Sequence, residues 1–270
     1  MVKQIIDLRE YVKTYYSTTN LANSQLKAGG DNKIFKDDML EGFDKICDLK
    51  GSFSKKPALV MAHGPSLLDI DKEEYKSHLK ITCNDFNKVS NFFDDFKPDF
   101  WCAANSYEAL ELPFKICLEE NIKTFVTVPL LNEFSDLLEI ARERGKTNIV
   151  YPWLWEHKIF QNLLAQDYGL EKTYSRCNTV TNHMIALAVW LGCNPISVTG
   201  FDLSYKVALE NTGMTHAGYT SGDRIDAFDD PRERRQILAD LKYLCTLAKS
   251  RGIQIHNLSY KANRLPKIIA

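Results

Sequence analysis

The chain lacks an excess of charge of either sign: its 270 residues carry 34 Lys and Arg against 35 Asp and Glu, a formal net charge of −1. No global basic field exists to attract a polyanion, so a nucleic-acid partner has no electrostatic support. It also lacks an apolar run near the ~20 residues that cross a bilayer, and a basic start followed by a short apolar core that would read as a signal peptide. The expected location is therefore cytoplasmic. Seven cysteines are scattered without a CxxC spacing, and six histidines without HExxH. Neither a zinc site, a disulfide framework nor a metal-dependent mechanism is indicated, and the cysteines read as small hydrophobes in a reducing compartment. GxGxxG and the Walker loop are missing as well, which leaves nicotinamide and P-loop chemistry unsupported.

What is present is 44% apolar composition, enough to bury one large core. Residues 1 to about 55 show two helical stripes, Ile5, Leu8, Val12, Tyr15 and then Phe35, Met39, Phe43, Ile46, broken by a polar stretch with Gly29-Gly30. They predict an N-terminal helical extension that caps the main domain or a partner subunit. Its first fifty residues hold eight basic and eight acidic side chains, which argues against an electrostatic membrane anchor there.

From residue 56 to 270 short apolar runs alternate with helical patterns. Strands are expected over 58–62, 80–83, 99–103, 124–128, 148–151, 196–199 and 253–256, and helices near 106–120, 133–144, 154–166, 180–191 and 232–250. The pattern predicts an α/β, Rossmann-like domain with a mostly parallel sheet flanked by helices. Residues 205–231 lack periodicity, carry Gly213, Gly218 and Gly222, and read as a lid loop.

Several strand ends carry polar or small groups, the arrangement that an open α/β sheet uses to hold a ligand at its carboxyl edge. In Ala62-His63-Gly64-Pro65-Ser66, Gly64 permits close backbone approach and Ser66 can cap a turn or bind a phosphate. His63 is either a ligand contact or part of the turn. Asn84 and Asn105 each follow a strand, where an amide reads a base or sugar hydroxyl or builds an Asx-turn. Thr179 and Thr181 precede a helix whose free amides and hydroxyls suit an anion, or simply supply its cap. Asp202 ends a strand as a ligand contact or a turn cap. His216, near Tyr205 and Tyr219, can serve as a general base from the lid, or be an exposed loop histidine.

The last 22 residues, from Lys249, hold five basic side chains and no acidic one. They suit a solvated helix end and tail, or a peripheral contact with an anionic surface at the inner face of the membrane.

On these motifs, from Gly64-Pro65-Ser66 through Asn84, Asn105 and the 179–192 helix to Gly200-Phe201-Asp202-Leu203-Ser204-Tyr205, the chain resembles two related groups over about 57–265. One is the bacterial lipooligosaccharide sialyltransferases; the other is the MptE-like family, named for a 6-hydroxymethylpterin diphosphokinase. The first resemblance implies a metal-independent, inverting glycosyltransferase of surface-glycan assembly, such as lipopolysaccharide or capsule. Its donor would be a nucleotide-activated sugar, with a CMP-nonulosonate favoured, and its acceptor a glycan or glycolipid. Gly64, Ser66, Asn84 and Asn105 would contact the donor, Thr179 and Thr181 would lie near it, Tyr205 would approach its phosphate, and His216 would be the base. His63 stands where the sialyltransferases carry an asparagine. The second resemblance implies transfer of pyrophosphate from ATP with magnesium, for which Asp85 and Asp202 are the available acids. A nucleotide-binding scaffold without turnover is the third alternative, and a homo-oligomer stays open.

Overall fold

The structure is a computed structural model that describes residues 45–46, 48–103, 110–127, 141–153, 179–202, 217 and 231–259. Seven strands form one sheet: β1 Ala58–Met61, β2 Leu79–Cys83, β3 Phe100–Ala103, β4 Lys123–Thr127, β5 Val150–Trp153, β6 Ile196–Thr199 and β7 Ile255–Asn257. Their order is β5-β4-β3-β2-β1-β6-β7, and every neighbouring pair is parallel. The expected Rossmann-like class is what the chain adopts. The chain steps outward from β1 to β5, then returns to lay β6 on the other side of β1, so the topological switch point lies between β1 and β6. Ligands bind at the carboxyl ends of strands beside such a point.

Both faces of the sheet are covered, and the central strands β1 and β3 read accordingly as continuous apolar runs. Along β1, Ala58 and Val60 join a core with Ile81, Cys102, Ile196 and Val198. Leu59 and Met61 face the other way, into a core with Trp101, Phe92, Phe93 and Phe114. The second core is closed by α1 Ser90–Phe93 and α2 Glu111–Glu120; the first by α3 Val180–Trp190 and α4 Pro231–Ser250.

Thr181 through Trp190 are all buried, so α3 is apolar on every side, as a helix between a sheet and a second helix must be. Among the described side chains of α4 the buried ones fall on one stripe, with Ile237, Leu241, Leu244 and Ala248 at helical spacing. After α3, Cys193 donates to the Ala188 carbonyl at 3.0 Å and Gly192 to Val189 at 3.1 Å, the paired bonds of a Schellman turn.

Two strands are displaced from expectation for identifiable reasons. β5 starts at Val150 rather than 148 because Thr147–Ile149 forms a 3-10 turn. β7 starts at Ile255 rather than 253 because the Ile253 amide closes the end of α4 on Ala248 at 2.9 Å. The helix expected near 106–120 is observed as Glu111–Glu120, with Leu110 at its cap position. The expected helices 133–144 and 154–166 lie outside the described residues, apart from 141–144, as do residues 1–44 and 47 of the N-terminal extension and all of the lid except Ala217 and Pro231, where α4 begins.

The end of the expected extension is fastened to the main core. Gly51 donates to Trp190 and Phe53 to Leu191, each at 2.9 Å, and the Trp190 indole donates to the Ile46 carbonyl at 2.9 Å. This contact lies just ahead of β1 and so fixes the last turn of α3 at the amino edge of the sheet. An 11-residue helix spans about 16 Å, roughly the length of these strands, which carries the start of α3 to the carboxyl edge. No helix among the described residues is long and apolar enough to cross a membrane.

Candidate functional site

The carboxyl ends of β1 and β6 are stitched together by their loops. Ala62 donates to Thr199 at 2.9 Å and Gly64 to Gly200 at 2.8 Å, continuing the ladder beyond the strands. Ser66 then turns back. Its hydroxyl accepts from the Gly200 amide at 3.1 Å, its carbonyl accepts from the Thr199 hydroxyl at 3.2 Å, and its amide donates to Asp202 Oδ2 at 3.0 Å.

This crossing leaves no room for side chains at the two glycines. A Cβ on Gly64 would strike Asp202 Oδ2 and come within 2.5 Å of the Gly200 carbonyl; one on Gly200 would strike the Ala62 carbonyl, and Gly200 also holds φ +68. On the far side, the Phe201 amide donates to Ser259 Oγ at 3.0 Å, tying in the segment that follows β7.

Asp202 is buried, and burial raises its carboxyl above the ordinary value against the opposing Ser66 bond. It acts as the acceptor that holds the Ser66 turn.

His63 occupies the β2 side. Its Nε2 lies 3.1 Å from Thr82 Oγ1, and that hydroxyl lies 3.2 Å from the Met61 carbonyl. The Thr82 hydroxyl reaches both the Met61 carbonyl and Nε2, so which of the two atoms donates in this pair follows the His63 tautomer. The other ring nitrogen, Nδ1, faces Asp85 Oδ1 at 3.6 Å, while Lys88 reaches Asp85 Oδ2 at 2.9 Å. Phe93 packs edge-on against the ring with centroids 6.0 Å apart. Burial pushes the Asp85 carboxyl up, but the His63 ring and the Lys88 ammonium outweigh it and hold the group well below the usual carboxylate range.

Asn84 makes the turn that delivers Asp85. It has φ +41, a left-handed conformation that asparagine tolerates better than most residues. Its carbonyl accepts from the Trp101 indole at 2.7 Å. Asn84 thus forms a backbone turn on the carboxyl edge of the sheet.

At α3, Thr179 is the N-cap: extended backbone, with its hydroxyl accepting from the Thr181 amide at 3.0 Å. The Asn182 amide donates to the Thr179 carbonyl at 3.1 Å, so two of the first amides are engaged within the helix start. Thr179 and Thr181 are both buried there.

Hydrogen bonds thus join Gly64, Ser66 and Asp202, directly or through Gly200, while His63, next to Gly64 in the chain, bonds Thr82 and Ala217 and faces Asp85, the neighbour of Asn84. Asn105, Tyr205, His216 and Tyr219 lie outside the described residues. Ala217 is described, however. It is fully buried, and its amide donates to the His63 carbonyl at 2.7 Å. Sequence reasoning gave no role to Thr82, Ala217 or Ser259, whose polar groups matter only through partners that the fold supplies. A histidine after β1 and an aspartate after β2 were the available signals for the His63–Asp85 contact.

The two acids considered for magnesium do not fit that use as they stand, because Asp85 is engaged by His63 and Lys88 and Asp202 by Ser66. Among the described residues no group of three or more His, Cys, Asp or Glu is placed to hold a metal ion. Burial pushes the thiols of Cys83, Cys102, Cys117 and Cys193 up, leaving them protonated and unreactive.

No curated protein matches the sequence. A solved sialyltransferase, CstII from Campylobacter jejuni, in complex with a substrate analogue, cytidine-5'-monophosphate, is similar at 18% identity and a TM-score of 0.47, covering 80% of this chain and 84% of that one. The family model described as MptE-like, 6-hydroxymethylpterin diphosphokinase MptE-like, matches residues 36–208. That span includes β1 to β6 and both halves of the stitched loop crossing, and on it the chain belongs to the MptE-like family.

Proposed function

We propose that this protein is a nucleotide-dependent transferase that moves a sugar: an inverting glycosyltransferase that needs no metal and takes a nucleotide-activated donor, with a CMP-nonulosonate favoured. The observation that carries this reading is the docking of Ala217 on the His63 carbonyl. Ala217 follows His216 directly in the chain, so a lid residue is held against the loop proposed to bind the donor. In this reading the base, His216, acts on a substrate lying at the switch point.

In this mechanism Gly64, Ser66, Asn84 and Asn105 hold the nucleotide, with Thr179, Thr181 and Asp202 bordering it and Tyr219 on the lid. His216 takes the proton from the acceptor hydroxyl as its oxygen bonds to the anomeric carbon. The bond from that carbon to the phosphate oxygen breaks, and CMP departs with the electron pair. Tyr205 donates a hydrogen bond to the departing phosphate, a contact that strengthens as charge develops. The acceptor is a glycan or glycolipid, reached in the cytoplasm or at the inner face of the membrane.

Pyrophosphate transfer from ATP is the second reading, favoured by the description of the family. It would draw its magnesium ligands from residues other than Asp85 and Asp202. Transfer or hydrolysis of CMP-sugars in EDTA, with wild type and His216→Ala, separates the two. The proposal expects turnover that survives chelation and falls roughly 10²–10⁴-fold in the variant. Full activity in His216→Ala removes the assigned base, and AMP release from ATP that stops on chelation replaces the proposal with the diphosphokinase. Nucleotide binding with no turnover of either kind leaves a scaffold.

A further inference from the structure

The last carbonyls of a helix have no partner within it, and those of α3 are met in two ways. The Schellman bonds take the first two, Gly192 donating to Val189 at 3.1 Å and Cys193 to Ala188 at 3.0 Å. The next three are met from outside the helix. Gly51 donates to Trp190 and Phe53 to Leu191, each at 2.9 Å, Lys55 donates to Gly192 at 3.1 Å, and Asn194 donates back to Lys56 at 3.0 Å. Alternate amides of one short strip, residues 51–56, thus meet successive carbonyls at the end of α3.

The strip is not held by burying its own side chains, since only Phe53 is half-buried and the other five residues are exposed. It is nevertheless closely seated. A Cβ on Gly192, which has φ +80, would meet Gly51 Cα at 3.2 Å and Ser54 Cα at 3.3 Å. Lys55 holds φ +66, a left-handed backbone that a residue with a side chain keeps only where its surroundings impose it.

This end of α3 bears on the other. The helix is buried from Thr181 to Trp190 and lies across β1, β2, β3 and β6. Apolar packing is non-directional, whereas the bonds to the strip fix where the helix stops along its own axis. At the far end Thr179 caps the helix at the carboxyl edge, and Asn182 Nδ2 donates to the Ile237 carbonyl of α4 at 3.1 Å.

We propose that residues 51–56 are a positioning element for the nucleotide site. By capping α3 from outside, against Gly192, they set the axial seat of the helix and with it the place of Thr179 and Thr181. The effect on nucleotide binding rests on the function proposed above; the seating of α3 does not.

Gly192→Ala tests the proposal against Gly145→Ala. Gly145 has φ +66 and closes its turn with the same paired bonds, donating to Arg142 at 2.9 Å while Lys146 donates to Ala141 at 2.7 Å, but a Cβ there meets nothing within 4 Å. The two substitutions share the backbone strain, and only Gly192→Ala pushes on the strip. Without ligand, solvent exchange of the Asn182 side-chain amide is followed by NMR. Its reference is the Phe114 amide, which bonds Leu110 at 3.0 Å in the opposite core and reports any general loss of stability. Relative to Phe114, Asn182 exchange should quicken about tenfold in Gly192→Ala, roughly the net worth of one hydrogen bond, and keep its wild-type ratio in Gly145→Ala. Equal ratios in the two variants overturn the positioning role.

CMP affinity by calorimetry should likewise fall about tenfold in Gly192→Ala and hold in Gly145→Ala. An Asn182 response with unchanged CMP affinity overturns the link between strip and site. Failure of CMP to bind the wild type refutes the nucleotide reading instead, with the strip still judged on Asn182. Trp190→Phe removes the indole bond to the Ile46 carbonyl, 2.9 Å long and just ahead of the strip, and carries the same test if Gly192→Ala does not fold. It should move both readings in the same direction by about threefold, and no movement in either overturns the proposal. A merely structural strip would lower Tm when disturbed but would move neither reading.

Discussion

Replacing Gly64 by alanine inserts one methyl group at the tightest point of the loop crossing. Gly64 has φ −65, a value any residue adopts, so the substitution carries no backbone penalty and its cost is contact alone. The new Cβ would strike Asp202 Oδ2, and would stand 2.5 Å from the Gly200 carbonyl and 2.8 Å from Asp202 Cγ. To make room, Asp202 must leave the Ser66 amide, a charge-assisted bond worth about 1.5–3 kcal/mol. Overpacking adds about 1–3 kcal/mol, for a combined loss near ~4 kcal/mol. In a domain of this size that lowers Tm by roughly 8–16 °C. Gly145→Ala is the control, since Gly145 has φ +66 but nothing within 4 Å of a built Cβ; it bears only left-handed strain of about 1–2 kcal/mol. Differential scanning calorimetry of both variants is the assay. A Gly64→Ala protein no less stable than Gly145→Ala would refute the close crossing of the β1 and β6 loops.

Two further outcomes follow from the β2 side. Asn84→Ala should lose about 1 kcal/mol more than Asn84→Gly in urea unfolding, because both remove the side chain and only alanine resists φ +41; equal losses would mean that this backbone strain is absent. The native Asp85 carboxyl titrates below its unfolded value, so its stabilising contribution is complete above an unfolded pKa near ~3.9 and is lost as pH falls toward the native value. The stability gap between wild type and Asp85→Asn should therefore be largest near neutral pH and shrink below about pH 4; a gap that widens in acid would contradict the pairing.

The architecture was readable from residue order because short apolar runs alternate with helical patterns, as a parallel sheet covered on both faces requires. Ala58–Met61 and Phe100–Ala103 show such runs unbroken and buried. Element ends were less readable. The 3-10 turn at Thr147–Ile149 and the α4 closure at Ile253 depend on local bonds that periodicity does not carry.

At the site, Gly64, Ser66, Asn84 and Asp202 stood out because small or polar residues just past an apolar strand serve either a ligand or a turn. Their partners did not stand out. The role of Ser66 as a cross-loop clasp depends on Gly200 and Asp202, more than 130 residues away. The His63 pairing joins two turns whose approach is set only when β1 and β2 lie side by side. Ala217 carries no functional group beyond its amide, so nothing in its identity marks it as an anchor.

The most direct test of the central claim is a thermal-shift comparison of CMP with ATP, each with and without magnesium. A ligand that binds the native state raises Tm by mass action, by an amount equivalent to about 2.7 kcal/mol at a hundredfold excess over Kd. The account predicts stabilisation by CMP that magnesium does not alter and that Gly64→Ala abolishes. Stabilisation by ATP only with magnesium, and none by CMP, would contradict it.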